Sequence, residues 1–253
     1  MKKKSAKGDK ASEKNGESTQ VSAEEILFRR IAEKSKEDPL FGAQIGSREL
    51  THRMISAMKT GKGVHTESLF CALGALAGYA CQAALREQAL ARGFFSAAYF
   101  TPVTTDDGKT FYFGDHLTRF LAESQYSVWN ITSGGAKEAG CSDLPDMAEI
   151  LKHNAAVLGA ADFGKPRVPD KNQPLELPSV YTNLFWPHVK PLIIKFCPDP
   201  EFWPMMVSFA AKEALLRGKS VVDPCIGLRI IMESAVAASR IKREDTGPKN
   251  TIS

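Results

Sequence analysis

Asp115 and His116 stand side by side just after the best β-hairpin signal in the chain, and a neighbouring carboxylate and imidazole can move a proton at the mouth of a pocket. Asp115 is equally well placed to cap a helix through Leu117, Phe120 and Leu121, which would account for it without chemistry. Cys225 is the candidate nucleophile. It follows Asp223-Pro224, a helix-opening pair, and amide donors in a first helical turn lower a thiol pKa. Asp223 opposes that effect and no histidine lies near in sequence, so burial as a small apolar residue is the competing reading.

Longer chemical motifs are incomplete. His65-Thr66-Glu67 and Pro224-Cys225 match pieces of the zinc nucleobase deaminase signature, but that signature needs a second cysteine three residues after the first, where Leu228 stands. Gly218-Lys219-Ser220 matches the end of a phosphate-binding Walker A loop, yet Glu213 occupies the place of its first glycine and the loop follows a helix instead of a strand. Thr60-Gly61-Lys62-Gly63 has no Ser or Thr after its lysine and reads as an interhelical turn. Cys197 with His188 is a further thiol and imidazole candidate. His52 and His153 have no metal-type partner at i+3 or i+4, and neither a metal site nor a cofactor is expected.

Aromatic rings carry the binding candidates. Tyr181, Trp186, Phe202 and Trp203, with Phe185, flank a proline-rich stretch. Either they anchor that stretch onto the body of the protein, or they line a groove for a partner, since Trp and Tyr are preferred binding residues when exposed.

The elements that must position these groups follow from period and punctuation. Ser22 with Glu25 three residues on forms a capping box for a short helix ending before Asp38-Pro39. Leu50, Met54, Ile55 and Met58 place a second helix over residues 48 to 59. Thr66 caps the third and longest, residues 67 to 91, whose small side chains on every side make it the central helix, with Gly74 and Gly78 letting another element approach its backbone. Its apolar stretch, residues 69 to 85, is slightly short for a membrane span, so no membrane association is expected.

Residues 97 to 104 and 109 to 113 predict a hairpin turning at Gly108, and helices are expected over residues 124 to 139 and 145 to 161. Six prolines between positions 163 and 191 exclude a continuous helix there, leaving an irregular arm or lid over residues 162 to 191. Asp199-Pro200 and Asp223-Pro224 each open a helix, to about Arg217 and Lys242, and these two helices form an expected antiparallel pair. The fold class is α+β, predominantly α-helical: a helical bundle around a central helix with one β-hairpin, in a single domain over residues 21 to 242.

Composition sets the outer limits. Hydrophobic residues are 43% and charged residues 25% of the 253, enough apolar material for a sizeable core. The net charge is +4, but six lysines against three acids in residues 1 to 20 contribute +3, and residues 240 to 253 contribute +2. The folded part is therefore close to neutral and no nucleic-acid partner is expected for it. Both tails, residues 1 to 20 and 243 to 253, are expected to be disordered. Five widely spaced cysteines with no CxxC pair argue against a disulfide framework and suit a reducing, cytoplasmic setting, as does an N-terminal segment without the apolar run of a signal peptide. With no complete catalytic motif, the expectation is a non-enzymatic interaction or regulatory protein with a protein partner or a second copy of itself. The alternative is a small-molecule enzyme or ligand-binding protein whose site lies near Asp115 and His116.

Overall fold

The alanine- and leucine-rich run Thr66–Ala91 forms one helix of 26 residues, α3, in a computed structural model that describes residues 22–242. Almost every residue from Glu67 to Arg86 is buried, because other helices pack against α3 from several sides. Two of its three closest neighbours are α8 (Trp203–Gly218) and α9 (Pro224–Arg240), and the third is α7 (Pro178–Phe196). Helices make up 66% of the described residues, with a two-stranded antiparallel hairpin beside them, so the class is α+β with helices dominating. The two expected tails lie outside the described residues.

Glycines set how close α3 and α9 come. A Cβ on Gly74 would collide with the carbonyl oxygen of Ile231, and one on Gly78 with that of Ala235. The two helices therefore touch backbone to backbone, which only the missing side chains permit. This contact corrects the expected α8 and α9 pair. The two are consecutive and helical, but both pack on α3 far more than on each other, because α9 finds its closest fit in the glycine face of α3.

The same logic moves the start of α2. The sequence pattern begins at residue 48, yet α2 is Phe41–Met58, and Gly42, Ala43, Gly46 and Ser47 are buried in its first half. A Cβ on Gly46 would lie 2.7 Å from the Met206 sulfur. Small residues here mark a contact with α8 and not a break in the helix. The first helix, α1 (Ala23–Lys34), has the expected capping box, with the Ser22 and Glu25 side chains each bonded to the other's backbone N–H.

The hairpin pairs β1 (Thr101–Thr104) with β2 (Thr110–Phe113) around Gly108, whose φ is +82°. β1 is exposed, while Phe111 and Tyr112 of β2 are buried. Phe111 meets Phe163 edge-on, Tyr112 stacks on Phe100, and Arg240 places its guanidinium 4.1 Å from the Phe113 ring centre. A lone hairpin is marginal in water, and this one is held by the end of α9 and by Arg86 of α3, whose guanidinium lies over the Tyr112 ring. Asp115 is not the expected cap. It lies in the first turn of the short helix α4 (Asp115–Thr118), which Gly114 precedes and which continues as one π turn, Arg119–Glu123. Helix α5 (Val128–Ala139) begins at a Ser127 cap, and α6 (Met147–Ala156) at an Asp146 cap, both shorter than their patterns suggest.

The largest departure is α7. It begins with Pro178 at its first position and runs on through Pro187 and Pro191, where the proline count excluded helix. Both internal prolines are on the exposed face, and so is Asn183, whose carbonyl would otherwise receive the Pro187 donor. Water can satisfy the freed carbonyls on that face, while the opposite face gains Tyr181, Val189, Leu192, Ile193 and Phe196 as core. The irregular segment is thus limited to the stretch before Pro178, with one 3-10 turn at Asp170–Asn172.

Replacing Gly78 by Ala is expected to destabilise the protein by about 2–3 kcal/mol or more, since a methyl group must force two backbones apart. At Gly134 in α5 nothing lies within 4 Å of the added carbon, so Gly134→Ala should be neutral or stabilising by about 0.5–1 kcal/mol in urea titrations of the two variants.

Candidate functional site

Helix α7 divides into a face that is held and a face that is offered. On the held side the aromatic candidates turn inward. Tyr181 is buried, and its hydroxyl pKa is raised by burial against an opposing hydrogen bond with Ser68. Trp186 is half-buried and meets Tyr79 edge-on at 4.8 Å. Trp203 is buried, donates from Nε1 to the Cys197 carbonyl at 2.9 Å, and lies under the ammonium of Lys190. Phe202 is half-buried on the wall of an apolar hollow of about 520 Å³ between α1, α2 and the end of α7. Tyr181, Trp186 and Trp203 are held in contacts on the inner side of the proline-rich helix, and the structure does not gather the four rings into one open groove.

On the offered side the exposed residues are Val180, Leu184, Pro187, Pro191 and Ile194, with Val180 41% exposed, Leu184 57% and Ile194 42%. Their spacing alternates four and three residues, the interval that keeps one seam on one side of a helix. Polar Asn183 and Lys190 border the seam on one flank, and His188 and Lys195 on the other. Lys190 also bonds Glu87 at 2.9 Å, and Lys195 pairs with Glu24.

The catalytic candidates do not converge. Asp115 and His116 are both exposed; His116 lies against the Tyr99 ring at 4.8 Å and faces a polar hollow that Asp115 does not line. Cys225 has no free thiol, because its sulfur is bonded to that of Cys141. Cysteine spacing along the chain argued against a disulfide framework, and the fold overrules it by bringing residues 84 apart in sequence to a Cα separation of 5.0 Å. Cys71, Cys81 and Cys197 remain as buried thiols, and burial raises the pKa of Cys71 and of Cys197 to about 12. Among the described residues no group of three or more His, Cys, Asp or Glu is placed to hold a metal. One described helix, α3, is long and apolar enough to cross a membrane, and its apolar window is buried inside the protein.

No family model matches the chain, and no curated protein or solved structure matches it either.

One polar constellation escaped the sequence reading, and a second was met there only as the fragment His65-Thr66-Glu67. Arg167 donates from its backbone N–H and from Nε and Nη2 to Glu233, at 2.7, 3.0 and 2.7 Å, and its guanidinium also pairs with Glu149. Arg229 joins from one turn before Glu233, at 3.1 Å. The Glu233 side chain is 6% exposed, so this carboxylate is buried and depends on its two cations. Only the Arg229 and Glu233 pair, four apart on one helix, was legible beforehand.

The second constellation is Ser68, His65 and Glu67. Ser68 Oγ lies 2.9 Å from His65 Nδ1, His65 Nε2 lies 3.6 Å from a Glu67 oxygen, and Glu67 accepts from Asn172 at 3.0 Å. The order serine, histidine, acid is that of a hydrolytic relay, but Ser68 is 2% exposed and its Oγ accepts the Leu175 N–H at 3.0 Å. Its role is structural. His65 Nδ1 accepts the Ser68 N–H as the N-cap of α3, and Ser68 and Glu67 tie the segment before α7 to that helix end.

Arg167→Met is expected to destabilise the protein by about 2–3 kcal/mol, because it leaves the buried Glu233 with one cation. The guanidinium beside Glu149 holds that carboxyl below its ordinary value of 4.5, so its stabilising contribution is complete above that pH and is lost as pH falls through the lowered value. Unfolding midpoints of the two proteins should therefore draw together as the pH is lowered below 4.5. Reduction of Cys141–Cys225 should lower stability by about 2–4 kcal/mol in denaturant titrations with and without reductant.

Proposed function

We propose that this protein is an interaction protein that assembles with a second copy of itself through the outer face of α7. The single observation that carries this reading is the solvent-facing apolar seam Val180, Leu184, Pro187, Pro191 and Ile194 on a helix whose other side is fixed in the core. Its positions are nearly symmetric about Pro187, so a two-fold axis there sets Val180 against Ile194 of the other copy.

Charge selects the antiparallel arrangement. Exposed Glu176 precedes the helix, whereas Lys190 and Lys195 lie in its second half. A parallel pair would stack lysines on lysines; an antiparallel pair brings the acidic end of one helix to the basic end of the other and opposes the two helix dipoles. The proline rings at the centre are short, which lets the axes approach. A seam on a helix about 28 Å long buries an area at the low end for stable interfaces, so association in the micromolar range is expected.

Sedimentation of the intact protein from about 1 to 100 µM should show a monomer and dimer equilibrium, and Leu184→Glu should leave only monomer with an unchanged melting temperature. Cysteine exchange reports the direction: Val180→Cys mixed with Ile194→Cys should crosslink, and Val180→Cys alone should not. A monomer throughout that concentration range would overturn the reading.

A further inference from the structure

The hollow that His116 faces is lined by several polar groups whose bonding capacity is only partly used by one another. It has a volume of about 390 Å³ and lies between the end of α3, the π turn and the start of α8. Arg119 lines it, and its guanidinium has no hydrogen-bond or ionic partner among the described residues. Arg92 lines it too, and uses one donor, to the Tyr99 hydroxyl at 2.8 Å, leaving its others free.

The rest of the wall is a ring platform and an acid. Tyr99 meets Phe94 edge-on at 6.5 Å and His116 at a tilt at 4.8 Å, and the Arg92 guanidinium lies over its ring, so its position is fixed. Tyr126, 40% exposed, stands on the rim. The carboxylate of Glu201 has no described partner, and it lines the same hollow without pairing with either arginine. Two guanidinium groups for an anion, one exposed ring at the rim and a carboxylate for hydroxyl donors are the complement of one ligand class.

We infer that this hollow binds a nucleoside monophosphate: the phosphate at Arg92 and Arg119, the sugar hydroxyls toward Glu201, and the base against the exposed ring of Tyr126. The volume is in the range of small-ligand pockets. The site is remote in sequence from the α7 seam, and the two proposals stand or fall separately.

Calorimetry with adenosine 5′-monophosphate, with adenosine and inorganic phosphate as separate arms, tests it on the full chain. The expected result is saturable binding of the monophosphate below about 1 mM and binding at least about tenfold weaker for either half alone. Arg119 is exposed, so Arg119→Gln should keep the melting temperature while weakening monophosphate binding about tenfold or more, and Arg119→Lys should recover part of it. Glu201→Gln should weaken the monophosphate and leave phosphate binding unchanged. The inference is overturned if the monophosphate does not saturate by about 10 mM, if Arg119→Gln binds it as the natural protein does, or if phosphate alone binds equally well.

Discussion

The contact on which the rest of this structure depends is the one between the backbones of α3 and α9. Gly74 meets Ile231 and Gly78 meets Ala235, and one turn further Gln82 donates to the carbonyls of Ser239 and Ile241. Successive turns of one helix meet successive turns of the other in the same direction, so the two run parallel. At this separation there is no room for side chains, and dispersion between close-packed backbones replaces the usual interleaving of leucines. The last bonds also satisfy carbonyls at the end of α9, where the chain passes under the hairpin: Lys242 donates to Thr110 at 3.1 Å and Ile241 bridges Phe111. The hairpin is thus seated by the same contact that closes the core.

How much of this could be read from the chain depended on whether a residue's local meaning matched its tertiary one. Thr66–Ala91 was legible as the central helix because small residues on every side have one physical use, close packing in all directions. The hairpin was legible because its turn needs positive φ at Gly108 and its flanks are rich in aromatic and β-branched residues. Proline misled where it was exposed. Pro187 and Pro191 remove donors that water replaces, and no local rule says which face of an unseen helix will be wet. Gly46 works in the opposite way: it is weak by helix propensity, yet it is a contact point against Met206.

The sites were less legible than the fold, for a related reason. Tyr181, Trp186, Phe202 and Trp203 were found as a group, but whether a ring faces in or out depends on the neighbouring helix and not on the ring. Arg167 and Glu233 lie 66 residues apart, and Cys141 and Cys225 lie 84 apart, so neither pairing leaves a trace in spacing. His116 was singled out for its neighbour Asp115, yet the groups that share its hollow are Arg92 and Arg119, from the end of a helix and from a π turn.

The parallel contact of α3 with α9 has a consequence for synthesis. Between the end of α3 at Ala91 and the start of α9 at Pro224 the ribosome must make more than half of the chain, on the order of ten seconds at ordinary elongation rates. Throughout that interval α3, with a mean hydropathy of 1.5 over its best window, has no α9 to cover its glycine face. A segment that the finished protein buries completely is, in the nascent chain, the one most like a membrane span and most exposed to aggregation or capture by chaperones. The closest-fitting joint in the molecule is therefore among the last to form, and the greasiest helix has to wait for it.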